Sequence, residues 1–317
     1  MEILAEEGAD TMEHRTVDVA IVGGGPGGLS AALVLGRSCR SVVLVDSGHP
    51  RNEVTYESHG FLTRDGIKPF ELRAIAHEQM QKYENVTMIN DLVQSVEKDQ
   101  NRFKTTTTSG VVISSRKLIF ATGLKEHLPT IPGLKETYGK SIFSCPYCDG
   151  WEHRDQPLAI IGNQKDLIHS IRLIYNWSRD LVVMTHGPAA LTEKEKKEVM
   201  NRDVRIIETE IKEISSDEGL LKEVAFVDGE TIQRKAAFLV NTGAEQATFL
   251  PEKLGVPLTK NGSFETKEHG KTKIAGLYII GDAAKRFTGL IGAASEGYET
   301  GVHMNREFVE EDWMRDA

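Results

Sequence analysis

The chain has 317 residues, enough for two domains of ordinary size, and its 39% hydrophobic and 27% charged residues are typical of a soluble globular protein. A formal net charge of −9 argues against a general binder of nucleic acids or anionic membranes. No apolar run approaches the roughly 20 residues that cross a bilayer, so we expect no membrane partner.

The amino-terminal residues 1–14 carry too many acids for a signal or transit peptide, and we predict a surface arm there, with Met12 as an alternative start. Only three cysteines occur, Cys39, Cys145 and Cys148, whereas a secreted disulfide scaffold has more. The count favours a reducing cytoplasm and one special pair. Cys39 falls on the apolar side of a predicted helix, and we interpret it as a buried core thiol.

Residues 17–22, VDVAIV, form the first predicted element. This apolar run is rich in β-branched residues and is typical of a parallel strand buried on both faces. Gly23, Gly25 and Gly28 follow with the G-x-G-x-x-G spacing. In that pattern the first glycine permits a tight turn, the second lets the backbone approach a pyrophosphate, and the third lets helix and strand pack closely. The stretch therefore predicts a phosphate-binding loop.

The next elements complete a nucleotide-binding unit. A helix over about 27–39 would direct its amino-terminal amides at the phosphates. A strand over 41–45 ends at Asp46, where a carboxylate can accept hydrogen bonds from ribose hydroxyls. Strand, glycine loop, helix, strand and acid in this order indicate a dinucleotide site far more strongly than the glycines alone.

This unit resembles the FAD-binding half of the two-dinucleotide-binding-domain flavoproteins. Three further segments share the resemblance: LIFATG at 118–123, FLVNTG at 238–243 and GLYIIGDAA at 276–284. It implies that Asp282 binds the ribityl chain of FAD, although a plain strand-end turn is the alternative. It also implies that a helix over about 290–307 points its amino terminus at the flavin pyrimidine ring, where the dipole favours a reduced, negative flavin. The residues that the resemblance assigns to FAD are Gly23, Gly25, Pro26, Gly28, Asp46, Asn52, Ala121, Thr122, Gly123, Gly281, Asp282, Gly289 and Leu290.

The stretch SCPYCDGWE holds the cysteine pair. A zinc site normally needs four ligands, and Cys145, Cys148 and His153 give three at most, so we expect no metal. A purely structural disulfide over so short a loop stabilises little. Pro146 suits a first helical position, and a helix amino terminus at Cys145 would lower the pKa of its thiol. Asp149 is placed to exchange a proton with a leaving thiol, unless it is only a helix-terminus acid. The redox interpretation fits best.

Over roughly residues 15–308 the chain resembles low-molecular-weight thioredoxin reductase. GGGPGG, the Ala-Thr-Gly turn, CPYCDG and the Gly-Asp pair occur in that order and at similar intervals. The resemblance implies that Cys148 faces the flavin C4a, that Cys145 exchanges with the substrate sulfur, and that Asp149 is the acid–base carboxylate. It further implies a homodimer and, as partner, a thioredoxin-like protein or a small dithiol or disulfide.

A second Rossmann-like unit follows the pair, with predicted strands at 158–161 and 180–185 and a helix between them. Reductases have G-x-G-x-x-A in its loop, but this chain has Gly162, Gln164 and Leu167 at those three positions. The two long side chains would obstruct a pyrophosphate. The segment THGPAAL also lacks the paired arginines that hold a 2′-phosphate. We therefore expect that NADPH is not tightly bound or is not the natural donor; the alternative is a remodelled loop that still binds NAD(P)H.

Two groups of related chains share this defect: the dithiol oxidases of the gliotoxin and holomycin pathways, and ferredoxin-linked thioredoxin reductases. HGFLTRDG (59–66) and the tryptophan-containing helix at 171–178 resemble the oxidase group, but Asp149 stands where those oxidases have histidine. A flavin redox sensor without turnover is a third alternative. His59 and His127 are candidates for positions near flavin or substrate, or are ordinary histidines. Thr288-Gly289 replaces the Arg-Gln of thioredoxin reductases, so the pyrimidine contacts would come from elsewhere.

The expected fold class is α/β, with two Rossmann-like (FAD/NAD(P)-binding) three-layer domains, the second inserted into the first. We predict an FAD domain made of residues 1–123 and 245–317 and an inserted domain of 124–244 that carries the cysteine pair. TTTTSG at 105–110 predicts a strand and turn of a small β-meander, and TEKEKKEV at 192–199 predicts an exposed helical face. The two crossings would form a hinge, because in the family one domain swings relative to the other.

Overall fold

A computed structural model describes residues 13–315 of the chain. The prediction for Met12 and most of the predicted arm lie outside these residues. His14, which was predicted to belong to the arm, is the first residue of β1. Within residues 13–315, the helices are all too short or too polar to cross a bilayer.

Strands and helices alternate along much of the chain. The strands are β1 (His14–Val22), β2 (Val42–Asp46), β3 (Val86–Asn90), β4 (Val93–Asp99), β5 (Arg102–Thr107), β6 (Val112–Phe120), β7 (Leu124–Lys125), β8 (Ile142–Phe143), β9 (Leu158–Ile161), β10 (Leu181–Met184), β11 (Arg205–Ile207), β12 (Ile211–Asp217), β13 (Leu220–Phe226), β14 (Thr231–Gln233), β15 (Ala236–Leu239), β16 (Glu245–Gln246) and β17 (Leu277–Ile279). The helices are α1 (Pro26–Arg37), α2 (Pro69–Met80), α3 (Leu134–Thr137), α4 (Pro146–Asp149), α5 (Leu167–Ile174), α6 (Glu193–Met200), α7 (Leu250–Lys253), α8 (Asp282–Lys285) and α9 (Gly289–Arg315).

The described residues form two compact units. The first contains the residues up to Pro50, Arg73–Leu124 and those from Gln246 onward. Its sheet has the order β3-β2-β1-β6-β5-β4, with β17 also paired to β6. Strands β1, β2, β3, β6 and β17 run parallel, while β4, β5 and β6 form the predicted antiparallel meander. The carboxyl ends of these five parallel strands thus share one edge.

The core of the first unit lies on both faces of this sheet. Along β1, Val19 and Ile21 pack into one hydrophobic cluster with Phe308, whereas Ala20 and Val22 pack into another on the opposite face. This alternation follows from the two-residue period of a strand. The prediction that the first strand is buried on both faces is therefore confirmed.

The second unit contains Arg51–Leu72 and Lys125–Glu245. Its parallel sheet has the order β11-β10-β9-β15-β8, and β12, β13 and β14 form a separate antiparallel sheet. Strand β9 also alternates, with Leu158 and Ile160 facing one cluster and Ala159 and Ile161 the other. Each unit contains a sheet of parallel strands with a hydrophobic cluster on each of its two faces, and helices pack against the sheets. The predicted α/β fold class is therefore confirmed.

Helix α9 packs against the amino-terminal part of α1, directly after the predicted phosphate-binding loop. A Cβ at Gly297 would lie only 2.0 Å from the carbonyl oxygen of Gly27, so this glycine lets the two helices touch through their backbones. Farther along α9, Glu307 forms ion pairs with Lys117 at 2.5 Å and Lys271 at 2.6 Å. Burial raises the pKa of Glu307, but hydrogen bonds from the two lysines outweigh this and hold it at about 2. The charged cluster fixes α9 to the sheet.

The prediction of a buried core thiol at Cys39 is wrong. Helix α1 ends at Arg37 rather than at residue 39, and Ser38 is its carboxyl-terminal cap. Cys39 follows in the left-handed conformation, with a φ of 57°, and it is exposed. The turn that leads into β2 takes the place of the last predicted helical turn.

Candidate functional site

The glycine loop between β1 and α1 is built by close backbone contacts. Gly23 has a φ of +105°, and a Cβ there would lie 2.4 Å from the Ala121 carbonyl oxygen. A Cβ at Gly28 would lie 1.9 Å from the Gly23 carbonyl oxygen. By contrast, a Cβ at Gly25 would have nothing within 4 Å. Gly23 and Gly28 are thus required by the fold itself, whereas Gly25 leaves room beside the backbone for a ligand.

Helix α1 presents its amino terminus at this opening. Gly25 is the amino-terminal cap and Pro26 occupies the first turn, where its missing N–H costs nothing. Gly25 has no side chain with which to cap the amides of this turn. Amides and dipole at such a terminus favour an anion such as a pyrophosphate.

Asp46 ends β2 beside the loop. Its carboxylate accepts hydrogen bonds from the Gly24 amide at 2.8 Å and the Gly48 amide at 3.2 Å, and it forms an ion pair with Arg73 of α2. Burial raises the pKa of Asp46, but the hydrogen bonds from Arg73 and the amides outweigh burial, so the pKa lies below its ordinary value. Asp46 is therefore ionised, as a ribose-binding acid should be. Arg73 also donates to the Gly24 carbonyl at 2.6 Å. No sequence pattern in α2 predicts this role for Arg73.

The Ala121-Thr122-Gly123 turn follows β6 at the same sheet edge. The Ala121 amide donates to the Val22 carbonyl at 2.8 Å. Thr122 Oγ1 is buried and has no hydrogen-bond partner among the residues that the structure describes. A Cβ at Gly123 would have nothing within 4 Å. A buried hydroxyl without a partner next to open space is what a polar cofactor would satisfy, so the edge fits FAD.

The Gly281-Asp282 pair follows β17, again at this edge. The Asp282 carboxylate accepts from the Thr288 amide at 3.0 Å and from its hydroxyl at 3.1 Å. The Gly281 amide donates to Glu296 of α9 at 2.7 Å. Helix α9 begins at Gly289, one residue before the predicted start, and Leu290 lies in its first turn. Thr288 therefore has a structural partner at the position where thioredoxin reductases have a cation.

Asn52 lies in the second unit by its packing, where its side-chain amide donates to Ser58 Oγ at 3.0 Å. The other residues predicted for FAD all lie in the first unit, at the glycine loop, the ends of β2, β6 and β17, and the start of α9. A role for Asn52 toward FAD stays a prediction.

Cys145 and Cys148 form a disulfide at the start of α4. Cys145 is the amino-terminal cap, Pro146 occupies the first turn, and the Cys148 amide donates to Cys145 Sγ at 3.1 Å. An N–H directed at a sulfur stabilises its thiolate once the disulfide is reduced. Among the described residues, His, Cys, Asp and Glu side chains do not form the three-ligand groups that a metal ion needs.

Aromatic side chains frame the disulfide. A Cβ at Gly150 would lie 2.4 Å from the Pro146 carbonyl oxygen and 2.8 Å from the ring of Trp177, so Trp177 packs directly on the backbone after the pair. Tyr147, between the two cysteines, makes an edge contact with Trp177 at 5.6 Å between ring centroids and is 71% exposed. The sequence predicts a helix through Trp177, but α5 ends at Ile174, and the tryptophan lies in the turn beyond it.

Asp149 ends α4, next to Cys148. Burial raises its pKa to about 7, with a smaller increase from Glu152 and an opposing effect of His59. A carboxyl group that titrates near neutrality is suited to general acid–base chemistry with thiols. His59 lies 3.8 Å from Glu152, whereas the side chain of His127 is 56% exposed and lies 3.9 Å from Glu245. Of the two histidines proposed from sequence, His59 is the one near the predicted catalytic residues.

The loop between β9 and α5, which corresponds to the predicted second nucleotide site, is occupied by hydrogen bonds between protein groups. Asn163 donates to the Pro188 carbonyl at 2.6 Å and accepts from the Ala190 amide at 2.7 Å, so its side chain bridges the loops after β9 and β10. Leu167 is fully buried in the hydrophobic cluster under α5. The Gln164 side chain donates to Ser170 Oγ at 3.3 Å.

The segment after β10 is contacted by an acid, Glu208, which follows β11. Glu208 accepts from the Ala189 amide at 2.8 Å and pairs with Lys196 at 2.9 Å. His186 Nδ1 accepts from the Ile211 amide at 2.8 Å, so this ring nitrogen is engaged by the backbone. These groups do not form a bidentate site for a 2′-phosphate.

Comparison with known proteins gives one family and several relatives. The family model described as pyridine nucleotide-disulphide oxidoreductase matches residues 17–301. A protein of Arthroderma benhamiae named as a probable thioredoxin reductase is 31% identical over 86% of this chain and 74% of its own length.

Two solved structures are also similar. A candidate thioredoxin reductase, TrxB of Bacillus anthracis, is 38% identical with a TM-score of 0.89, over 93% of this chain and 99% of that chain. The crystal structure of HlmI is 33% identical with a TM-score of 0.90, over 95% of each chain.

Proposed function

The chain belongs to the pyridine nucleotide-disulphide oxidoreductase family and is a thioredoxin reductase-like flavoprotein, and from that premise we propose that it is an FAD-dependent thiol–disulfide oxidoreductase. Electrons pass between FAD and the Cys145–Cys148 disulfide, and from there to or from a thiol or disulfide substrate. The observation that carries this proposal is the disulfide itself, at a helix amino terminus and next to an acid that titrates near neutrality.

FAD would be held in the first unit. The α1 amino terminus and Gly25 fit its pyrophosphate, Asp46 fits the adenosine ribose, and Thr122 and Asp282 lie at the same edge. When bound, FAD supplies a redox partner that takes up or gives two electrons. We further propose an FAD domain of 1–123 plus 245–317, an inserted domain of 124–244, a homodimer and a cytoplasmic location.

The second unit supplies the thiol chemistry. A substrate dithiol would attack Cys145, forming a mixed disulfide and releasing Cys148 as a thiolate that takes a proton from Asp149. The second substrate thiol would then displace Cys145, so that the substrate leaves as a disulfide and both cysteines are reduced. Substrate reduction is the same sequence in reverse, and a thioredoxin-like protein is the partner that the relatives' names suggest.

We propose that NADPH is not the natural electron donor. The Asn163 bridge, the buried Leu167 and the acid Glu208 support this proposal, because a dinucleotide needs open loops, a small residue and a cation at these places. These contacts also favour a second candidate, an FAD-dependent dithiol oxidase that passes electrons to oxygen. A ferredoxin-linked reductase and a redox sensor without turnover are the remaining alternatives.

The test mixes the purified flavoprotein anaerobically with dithiothreitol, NADPH or NADH and follows flavin absorbance. We expect rapid bleaching by the dithiol and slow or no bleaching by micromolar nucleotide. Cys145→Ser and Cys148→Ser should each abolish dithiol bleaching, and Cys39→Ser is the matched control. Equal bleaching without either cysteine of the pair would refute the redox role.

Admission of air then separates the candidates. Peroxide formation with steady dithiol consumption supports the oxidase. Bleaching without oxygen turnover supports a reductase with a protein donor. Fast bleaching by NADPH would refute the proposal on the donor.

A further inference from the structure

Arg73 joins the two parts of the first unit that are proposed to hold pyrophosphate and adenosine. Its Nη1 donates to the Gly24 carbonyl of the glycine loop at 2.6 Å, and its Nη2 donates to the Asp46 carboxylate at the end of β2. The side chain of Arg73 is only 11% exposed. The guanidinium therefore belongs to the proposed nucleotide site and connects the loop to the acid.

Asp46 has little capacity left to accept hydrogen bonds from a ribose. Its carboxylate already accepts from the Gly24 amide at 2.8 Å, from the Gly48 amide at 3.2 Å and from Arg73. An ionised carboxylate offers about four lone-pair sites, so these hydrogen bonds leave about one for a ligand. A ribose presents a pair of hydroxyl groups, and Asp46 alone cannot accept from both.

Close packing holds the carboxylate in this orientation. A Cβ at Gly24 would lie 2.7 Å from Asp46 Cγ and 2.9 Å from Asp46 Oδ2, so the carboxylate lies directly against the backbone of the loop. A rotation that freed its oxygens for a ribose would break the bonds to Arg73 and to both amides. The second hydroxyl group therefore needs another partner.

The guanidinium has the capacity that Asp46 lacks. It carries five N–H groups in one plane and remains charged at any physiological pH. Among the residues that the structure describes, Arg73 donates to two acceptors, Gly24 and Asp46. Its other N–H groups are beside the carboxylate that is proposed to bind the ribose. Because a hydroxyl group is an acceptor as well as a donor, it can accept from one of them.

We propose that Arg73 is a specificity-determining residue of the FAD site, which donates a hydrogen bond to the ribose hydroxyl group that Asp46 does not accept. An acceptor and a donor, Asp46 and Arg73, then recognise the adenosine ribose together. This inference rests on the proposed FAD site of the first unit. Arg73 thereby contributes to the affinity for the adenosine half of the cofactor.

The test measures the affinity of ADP, 2′-deoxy-ADP and 3′-deoxy-ADP for the full-length protein stripped of flavin, by competition with FAD in fluorescence quenching. In the parent, each missing hydroxyl group should weaken binding about tenfold or more, since it removes a hydrogen bond to a charged group. In Arg73→Met, this loss should disappear for one of the two deoxy analogues and persist for the other. Arg116→Met removes another arginine of the first unit, with a 16% exposed side chain, and should leave both losses unchanged.

The deoxy analogues separate recognition from packing, because a purely structural role of Arg73 would weaken the binding of all three nucleotides by the same factor. If Arg73→Met does not fold, Arg73→Lys is the second variant. It keeps a cation beside Asp46 but lacks the planar fork, so the loss for the same analogue should be smaller than in the parent. ADP binding with unchanged losses for both analogues would overturn this inference alone. Absence of ADP binding by the parent would overturn it together with the proposed FAD site.

Discussion

The glycine loop allows a prediction that separates fold from ligand binding at two neighbouring positions. Gly28→Ala would place a Cβ 1.9 Å from the Gly23 carbonyl oxygen, whereas real Cβ contacts stay beyond 3.0 Å. Helix α1 and the loop must therefore separate by more than an ångström. Such overpacking costs about 1–3 kcal/mol of stability. Because the displaced helix terminus is the proposed pyrophosphate site, FAD affinity should fall by about tenfold or more.

Gly25→Ala is the matched variant. The new Cβ meets nothing within 4 Å, and the native φ of −73° suits alanine. We expect folding stability to hold or to rise by about 0.4–1 kcal/mol, since alanine restricts the unfolded chain. FAD affinity should nevertheless fall, because the methyl group occupies the space that the backbone leaves for the cofactor.

The assay compares the flavin content of the purified variants, the affinity from FAD fluorescence quenching with stripped protein, and the free energy of unfolding in urea. Gly28→Ala should lose both stability and flavin, and Gly25→Ala should lose flavin alone. Parent-like FAD affinity in Gly25→Ala would refute the assignment of the open space to the cofactor. Undiminished stability in Gly28→Ala would refute the packing argument.

Three further changes test the second unit. Burial raises the pKa of Asp149 from 3.8 to about 7, so its stabilising contribution is complete below about pH 4 and is lost as the pH rises to about 7. In Asp149→Asn, the free energy of unfolding in urea should lose this pH dependence, which amounts to at most about 4 kcal/mol between about pH 4 and pH 7. A dependence of the unfolding free energy on pH as steep as in the parent would contradict the raised pKa. Gly150→Ala, whose Cβ would strike the Trp177 ring, should cost about 1–3 kcal/mol and slow reduction of the disulfide by dithiothreitol; a parent-like rate would argue against this contact. Asn163→Ala should release the bridged loops yet still not permit bleaching by NADPH, because Leu167 remains; rapid bleaching would show that the bridge alone excludes the nucleotide.

The strands and the glycine loop were predictable because their patterns are local. An apolar β-branched run such as Leu158–Ile161 must be buried on both faces, and the strand has the predicted bounds. G-x-G-x-x-G predicts turn, loop and helix together, and Pro146 predicts the start of α4. In each case a few adjacent residues carry the whole signal.

Features that depend on distant partners were not predictable. Helix α9 was expected to end near residue 307 but continues to Arg315, and Asp312 in its last turns pairs with Arg40 and Arg116 far away in the chain. The Arg73–Asp46 pair is likewise long-range. Cys39 was misplaced because the end of a helix depends on how the following turn meets the next strand.

The contact between α1 and α9 has a consequence for biosynthesis. Gly27 and Gly297 touch across almost the whole chain, and the second unit is complete at Glu245, before α9 is translated. Since domains fold during synthesis as their residues emerge, the disulfide-bearing unit would fold on the ribosome while the nucleotide loop still lacks its supporting helix. The order of translation would thus place cofactor loading last, after the carboxyl-terminal helix has packed against α1.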